Sequence, residues 1–338
     1  MRFKKLFLAL LAAISVTVVA ISVSGIGVGN FHIPLLHAVS RNSISGIEGR
    51  DGPVLVVKID DTSFARPQVG IEEADLVYIE QVEGGLTRLA AVFSRQIPNL
   101  IGPVRSARIT DVDLLSQYGF IAFAYSGAQS KLRPVLAAAN WKDVGAEKLG
   151  SQFFFNDPLR NPPYAMMMRA RDVMSSLQSQ SVPIAISRNM GWSFGSAPDS
   201  GTSISQVRMR WPAASYEATW SQDDKRWLLS ANGQPDFAAS GARLGATTLV
   251  IQNVLITPSE YHDKVGGVTP LSHVIGSGTG YILRDGKYFP ARWVRESADS
   301  GTRWSDSQGN EIRFAPGQIW VALTDQTPVF TPITAAQS

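Results

Sequence analysis

Apolar and polar positions change rhythm twice along this chain. The first run, residues 6–28 within "MRFKKLFLALLAAISVTVVAISVSGIGVG", is apolar and uncharged throughout. A polar, glycine-bearing stretch, "SRNSISGIEGRDG" (40–52), follows without periodicity and predicts a linker over 41–52. From residue 53 the runs become short. "PVLVVKID" (53–60) is β-branched and ends on Asp60 and Asp61, the pattern of a buried strand with polar groups at its carboxyl end. "EEADLVYIEQVEGGLTRLAAVFS" predicts a strand through Leu76, Val77 and Ile79, a turn at Gly84-Gly85 and a second strand over 89–93. "RITDVDLLSQYG" puts Val112, Leu115 and Tyr118 on one helical face, with an acid in the first turn and Gly119 at the stop. "FIAFAYSGAQS" (120–130) reads as another buried strand, and "PYAMMMRARDVMSSLQSQ" (163–180) as a closing amphipathic helix before Pro183. Strands alternating with helices predict an α/β (α+β) domain over 53–188.

The helical period then disappears. Residues 189–215 are rich in Gly, Ser and Trp, and beyond them short alternating runs are split by "NG", "DG" and "QGN" turns. This predicts a mostly β domain over 189–330, with a tail at 331–338. In it "GSGTG" (276–280) reads as a hairpin turn or bulge, since no Lys and no helix follow to make a phosphate loop.

The opening run changes the picture of location. Arg2, Lys4 and Lys5 precede it and no further basic residue occurs until Arg41. At about 1.5 Å per residue a run of that length crosses the ~30 Å hydrocarbon core, and the basic flank orients its N-terminus inside. Residues 1–40 are therefore expected to form a signal-anchor or transmembrane segment and flank, leaving a single-pass protein whose bulk is extracytoplasmic. The alternative is secretion after signal cleavage at the small-residue site Val18-x-Ala20. The chain has no cysteine, which excludes disulfides and an acylated-cysteine anchor.

Composition adds exclusions. With 44% hydrophobic and 17% charged residues the chain has material for a large core, and its net charge of +3 comes from interleaved rather than blocked basic residues. That excludes a nucleic-acid partner. His32, His37, His262 and His273 lack metal-ligand spacing, and no G-x-S-x-G elbow is present, so neither a metal site nor a cofactor is expected.

"ARPQVGIEEADLVYIEQVEGGLTRLAAVF" followed by "IGPVRSAR" resembles the YerB-like lipoprotein family of bacteria, a domain of unknown function. "LVIQNVLIT", "GSGTGYILRDGKYFPARW" and "NEIRFAPGQIWVAL" resemble the C-terminal domain of the same family, so the likeness runs over about 53–325 in order. It implies a two-domain protein tethered outside the cytoplasm. Two departures stand out: the lipid-bearing cysteine is missing, and "NPPYAM" (161–166) replaces an "APHN"-like segment.

The candidate chemistry lies in the first domain. Arg66, Arg88, Arg105, Arg108 and Asp111 are the expected ligand-binding residues; Glu80, Glu83, Asp60 and Asp61 are the candidate catalytic carboxylates. One reading makes these groups mutual ion pairs, with Arg88 clamping Glu80 or Glu83 and Arg105 or Arg108 clamping Asp60. The other makes an arginine-lined cleft that grips a carboxylate or phosphate bidentately, the partner being a cell-wall glycan, an anionic envelope polymer or an envelope protein. A third gives the carboxylates glycan-cleaving or phosphoryl-transfer work in that cleft. The tryptophans of the second half, Trp211, Trp220, Trp227, Trp293, Trp304 and Trp320, are expected mostly in the core, with a sugar-binding platform as the alternative.

Overall fold

The structure, a computed structural model, describes residues 40–333. The apolar run at 6–28 lies outside the described residues, and no helix among the described residues is long and apolar enough to cross a membrane. The fold is mostly β with few helices.

In the first half, strands β1 (Leu55–Asp60), β2 (Leu76–Gln81) and β3 (Thr87–Phe93) are followed by helix α1 (Thr110–Ser116) and by β4 (Ile121–Ala124) and β5 (Trp141–Asp143). Strand β6 (Met166–Arg169) runs directly into helix α2 (Ala170–Ser179). The second half supplies β7 (Thr202–Trp211), β8 (Ala214–Ser221), β9 (Arg226–Ala231), β10 (Thr248–Asn253), the hairpin β11 (Ile256–His262) and β12 (Val268–Ser272), then β13 (Gly276–Arg284), β14 (Lys287–Arg295) and β15 (Ile319–Thr324). Among the described residues one sheet of sixteen strands includes most of them, in the order β9-β8-β7-β14-β13-β10-β15-β2-β3-β1-β4-β5.

The two halves thus share a sheet. Strand β15 lies between β2 and β10, parallel to both, with Leu76 and Thr248 flanking Ile319. All six of its residues are buried. Side-chain contacts reinforce the join: Arg295 of β14 donates to the carbonyl of Asp113 in α1, at 2.5 Å. The composition change near residue 189 marks where helices stop, and it carries no trace of this pairing.

The strand pleat sorts the core. Val57, Ile59, Val77, Ile79, Leu89 and Ala91 face one way, against α2 and the buried Trp211, Trp227 and Trp320. Val56, Leu76, Tyr78, Ala90 and Val92 face the other, against Leu114 and Leu115 of α1 and against Trp293 and Trp304. Of the six tryptophans named above, five are buried and Trp220 is half-buried, so they form core and offer no exposed platform.

Three local expectations are corrected. The 41–52 segment packs into the body instead of acting as a linker: Ile44 is fully buried, Asn42 Nδ2 donates to Ser94 Oγ (2.8 Å) and Ser45 Oγ to Asp75 (2.8 Å). Its polar residues satisfy one another, which a hydropathy pattern cannot register. The closing helix begins only at Ala170; the methionines before it form β6, paired with residues 100–101 and 154–156. "GSGTG" is the start of β13, not a turn. Its glycines give neighbours room, since a Cβ on Gly278 would lie 2.6 Å from Trp293 Nε1, and one on Gly280 would lie 2.3 Å from the Ile251 carbonyl oxygen. A backbone oxygen in mid-sheet has nowhere to move. Gly280→Ala is therefore expected to lower stability by about 1–3 kcal/mol, the usual range for overpacking; an unchanged urea midpoint would refute this.

Candidate functional site

Alternation along β1, β2 and β3 brings Lys58, Asp60, Glu80 and Arg88 to the same face as Tyr78 and Ala90, near one end of these strands. Continuous apolar runs around them make that face a poor solvent for charge, so each group's partner decides its state. Lys58 Nζ pairs with Glu80 and lies 3.0 Å from Asp111 Oδ1, all three side chains being fully enclosed. Burial, and then the charge of Asp111, push Glu80 up to about 7 despite Lys58. Asp111 also accepts the backbone N–H of Arg108 at 2.6 Å, fixing the entry to α1.

The ion pairs differ from the simplest sequence pairing. Arg105 Nε reaches Asp60 at 2.6 Å, as one reading expected. Arg88 clamps neither Glu80 nor Glu83. Glu83 is held by Arg108, through Nε at 2.9 Å and Nη2 at 2.7 Å, and also accepts from Thr269 of β12. Burial alone would favour its neutral form, but Arg108 and these hydrogen bonds hold Glu83 below the usual carboxylate range.

Arg66 and Asp61 belong to a different place. Adjacent strand residues point to opposite faces, and Asp61 points away from Asp60. It accepts from Tyr216 at 2.6 Å and from Thr87 at 2.5 Å and pairs with Arg66, which in turn reaches Asp236. Asp60 and Asp61 therefore serve different partners on opposite faces. Among the described residues no group of three or more His, Cys, Asp or Glu has the spacing to hold a metal.

Arg88, Arg105 and Arg108 do come together, in a cleft of about 690 Å³ between the first-half loops and the tip of the β11–β12 hairpin. Five basic and three acidic residues line it, Arg133 and Lys264 being basic residues the sequence did not single out. Asp111 and Glu80 lie behind its floor, fully buried. Arg88 is the unusual member. It is 9% exposed, its guanidinium makes one hydrogen bond among the described residues, Nη1 to the Ser106 carbonyl at 3.2 Å, and no carboxylate there pairs with it. Burial, then the charges of Arg108 and Arg105, pull it down to about 9, so it stays cationic at neutral pH. Three guanidiniums face one space, two of them paired with Asp60 and Glu83 and Arg88 with no carboxylate, an arrangement whose chemistry suits a multivalent anion.

Lys58 was also missed, although a lysine in the middle of "VLVVKID" is a signal: a buried strand tolerates one only beside an acid. Tyr216 and Thr269 left no comparable mark, because their partners lie more than 150 residues away.

Comparison with known proteins follows the same division of the chain. Residues 44–183 match the family model described as the N-terminal domain of a protein of unknown function (DUF3048), and residues 207–321 match its C-terminal domain. The chain is 26% identical over 288 residues to "Putative lipoprotein YerB" of Bacillus subtilis, covering 80% of each. The crystal structure of YerB protein from Bacillus subtilis has the same fold, with a TM-score of 0.71 at 19% identity over 86% of this chain and 99% of that one.

Proposed function

Because the chain belongs to the DUF3048 family, with its N- and C-terminal domains in order, we propose that it is an extracytoplasmic envelope protein whose arginine cleft binds an anionic cell-wall component. The location is supported by the lipoprotein name of the Bacillus subtilis relative and by the apolar run at 6–28, which would anchor a chain that has no cysteine to acylate. A wall glycan or polymer bearing carboxylates or phosphates is the partner class that this chemistry fits, ahead of an envelope protein.

The observation that carries the reading is Arg88. A buried guanidinium without a carboxylate partner is costly for the folded protein unless a ligand supplies the missing charge. Binding is favoured over glycan cleavage or phosphoryl transfer because Glu80 is fully buried, Asp61 is engaged by Arg66 and Tyr216, and Asp60 and Glu83 are tied to arginines.

The test separates a receptor from a brace. Arg88→Met is expected to melt at or above the wild-type temperature in buffer, since it removes an uncompensated buried charge, and to lose the response to anions. Inorganic pyrophosphate and citrate, standing for phosphate and carboxylate ligands, are expected to raise the melting temperature of the wild type only. A wild type unmoved by both probes, together with a variant melting several degrees early, would make the arginine structural and end this proposal.

A further inference from the structure

Beside the arginine cleft lies a smaller hollow of about 230 Å³, lined by Thr62, Phe64, Leu86, Thr87, Tyr164 and Asn232 among others. Leu86 lines both spaces. Phe64 sits on the short turn Ser63–Ala65 after β1 and is 73% exposed, which is costly for a phenyl ring on a soluble surface. It is nonetheless held in place: its ring stacks on Tyr164 with centroids 5.4 Å apart, and Arg160 fixes the backbone that follows it by donating to the carbonyls of Ala65 (2.8 Å) and Pro67 (2.5 Å). The same Tyr164 ring carries the Arg105 guanidinium 5.8 Å from its centroid. Polar groups complete the hollow, and Thr62 Oγ1 is enclosed without a protein partner among the described residues.

From this juxtaposition we infer that the ligand is a saccharide with an anionic substituent: a sugar ring lies against Phe64 and Tyr164, and its phosphate or carboxylate is held by Arg105 and Arg88. This inference rests on the anion-binding reading and narrows it. An aromatic platform covers the C–H face of a pyranose, and hydroxyl and amide side chains around it meet the ring hydroxyls, whereas an acyl or prenyl chain would leave those polar groups unpaired. Arg105 bridges platform and cleft, so ring and anion must be neighbours in the ligand, as they are in a glycosyl phosphate or a uronic acid. The hollow has the scale of one ring, and the ligand would enter by its end or as a single residue of a polymer.

The two claims separate in one calorimetric titration of the full-length protein with inorganic phosphate, N-acetylglucosamine 1-phosphate and the neutral methyl N-acetylglucosaminide. The wild type is expected to bind the sugar phosphate at least tenfold more tightly than phosphate, and the neutral sugar weakly. Phe64→Ala, whose exposed ring carries little of the fold, should bind phosphate as the wild type does and lose the tenfold advantage; Arg88→Met should lose both anions. Equal affinity for phosphate and sugar phosphate in the wild type, or an advantage that survives in Phe64→Ala, overturns the sugar subsite and leaves the anion cleft standing. No binding of either anion to the wild type overturns both.

Discussion

Lys58→Met is expected to destabilise the protein by about 3–5 kcal/mol, the range for removing one partner of a buried ion pair. Lys58 is fully enclosed, as are the two carboxylates it serves, Glu80 and Asp111. Without the ammonium these acids keep their burial and their mutual repulsion and lose the only cation among the described residues that is directly paired with both. The variant should recover part of its stability in acid. Glu80 is raised from 4.5 to about 7 in the folded wild type, so its contribution to stability is complete below pH 4.5 and is lost as pH rises through about 7. Loss of Lys58 pushes Glu80 higher still, which widens that window upward. Urea denaturation at pH 5 and pH 8 should therefore show a larger deficit at pH 8, and Glu80→Gln should flatten the dependence. A Lys58→Met protein as stable as the wild type at pH 8 would mean the triad is not what holds α1 to the sheet.

A chain ending at residue 316 is expected not to fold at all. It lacks β15, whose Ile319, Trp320, Val321 and Leu323 are buried. At about 1.5–3 kcal/mol for each large apolar side chain, their burial amounts to about 6–12 kcal/mol, the scale of a whole protein's net stability. The truncation also strips a hydrogen-bonding neighbour from β2 and β10 together, leaving two apolar edges open to aggregation. For the same reason residues 40–188 alone should be insoluble or lack a cooperative thermal transition. A soluble, cooperatively melting fragment would show that the halves fold independently.

These two cases mark what the sequence made legible. The strands over 53–93 could be read because each is a continuous apolar run bounded by acids or by Gly84-Gly85. The helix over 110–116 could be read from its spacing. The arrangement of β15 could not, since parallel pairing between Leu76 and Ile319 is set by two faces and two edges being satisfied together, and no local window contains that. The site behaves likewise. Arg88, Arg105 and Arg108 were recognisable as guanidiniums in an apolar stretch, and the structure brings all three to one cleft. Arg66 was grouped with them by proximity in the chain, but Asp61 draws it to the opposite face, where Tyr216 and Asp236 wait. Phe64 passed unnoticed because nothing in "DTSFARP" announces an exposed ring; only the stacking on Tyr164 gives it meaning.

The place of β15 also governs when this protein can become itself. Synthesis delivers β1, β2 and β3 first, yet β2 gains its second neighbour only when residues 319–324 emerge, more than 200 residues later. Contacts this distant in sequence make folding slow, because the loop must close before any pairing rewards it. Until then the β2 edge is open to any other extended segment. A cell making this protein must keep the nascent chain apart from its copies for the whole of that interval. A chain that stays uncommitted until residues 319–324 arrive is also one that a translocation pore could still thread, as the proposed location would require.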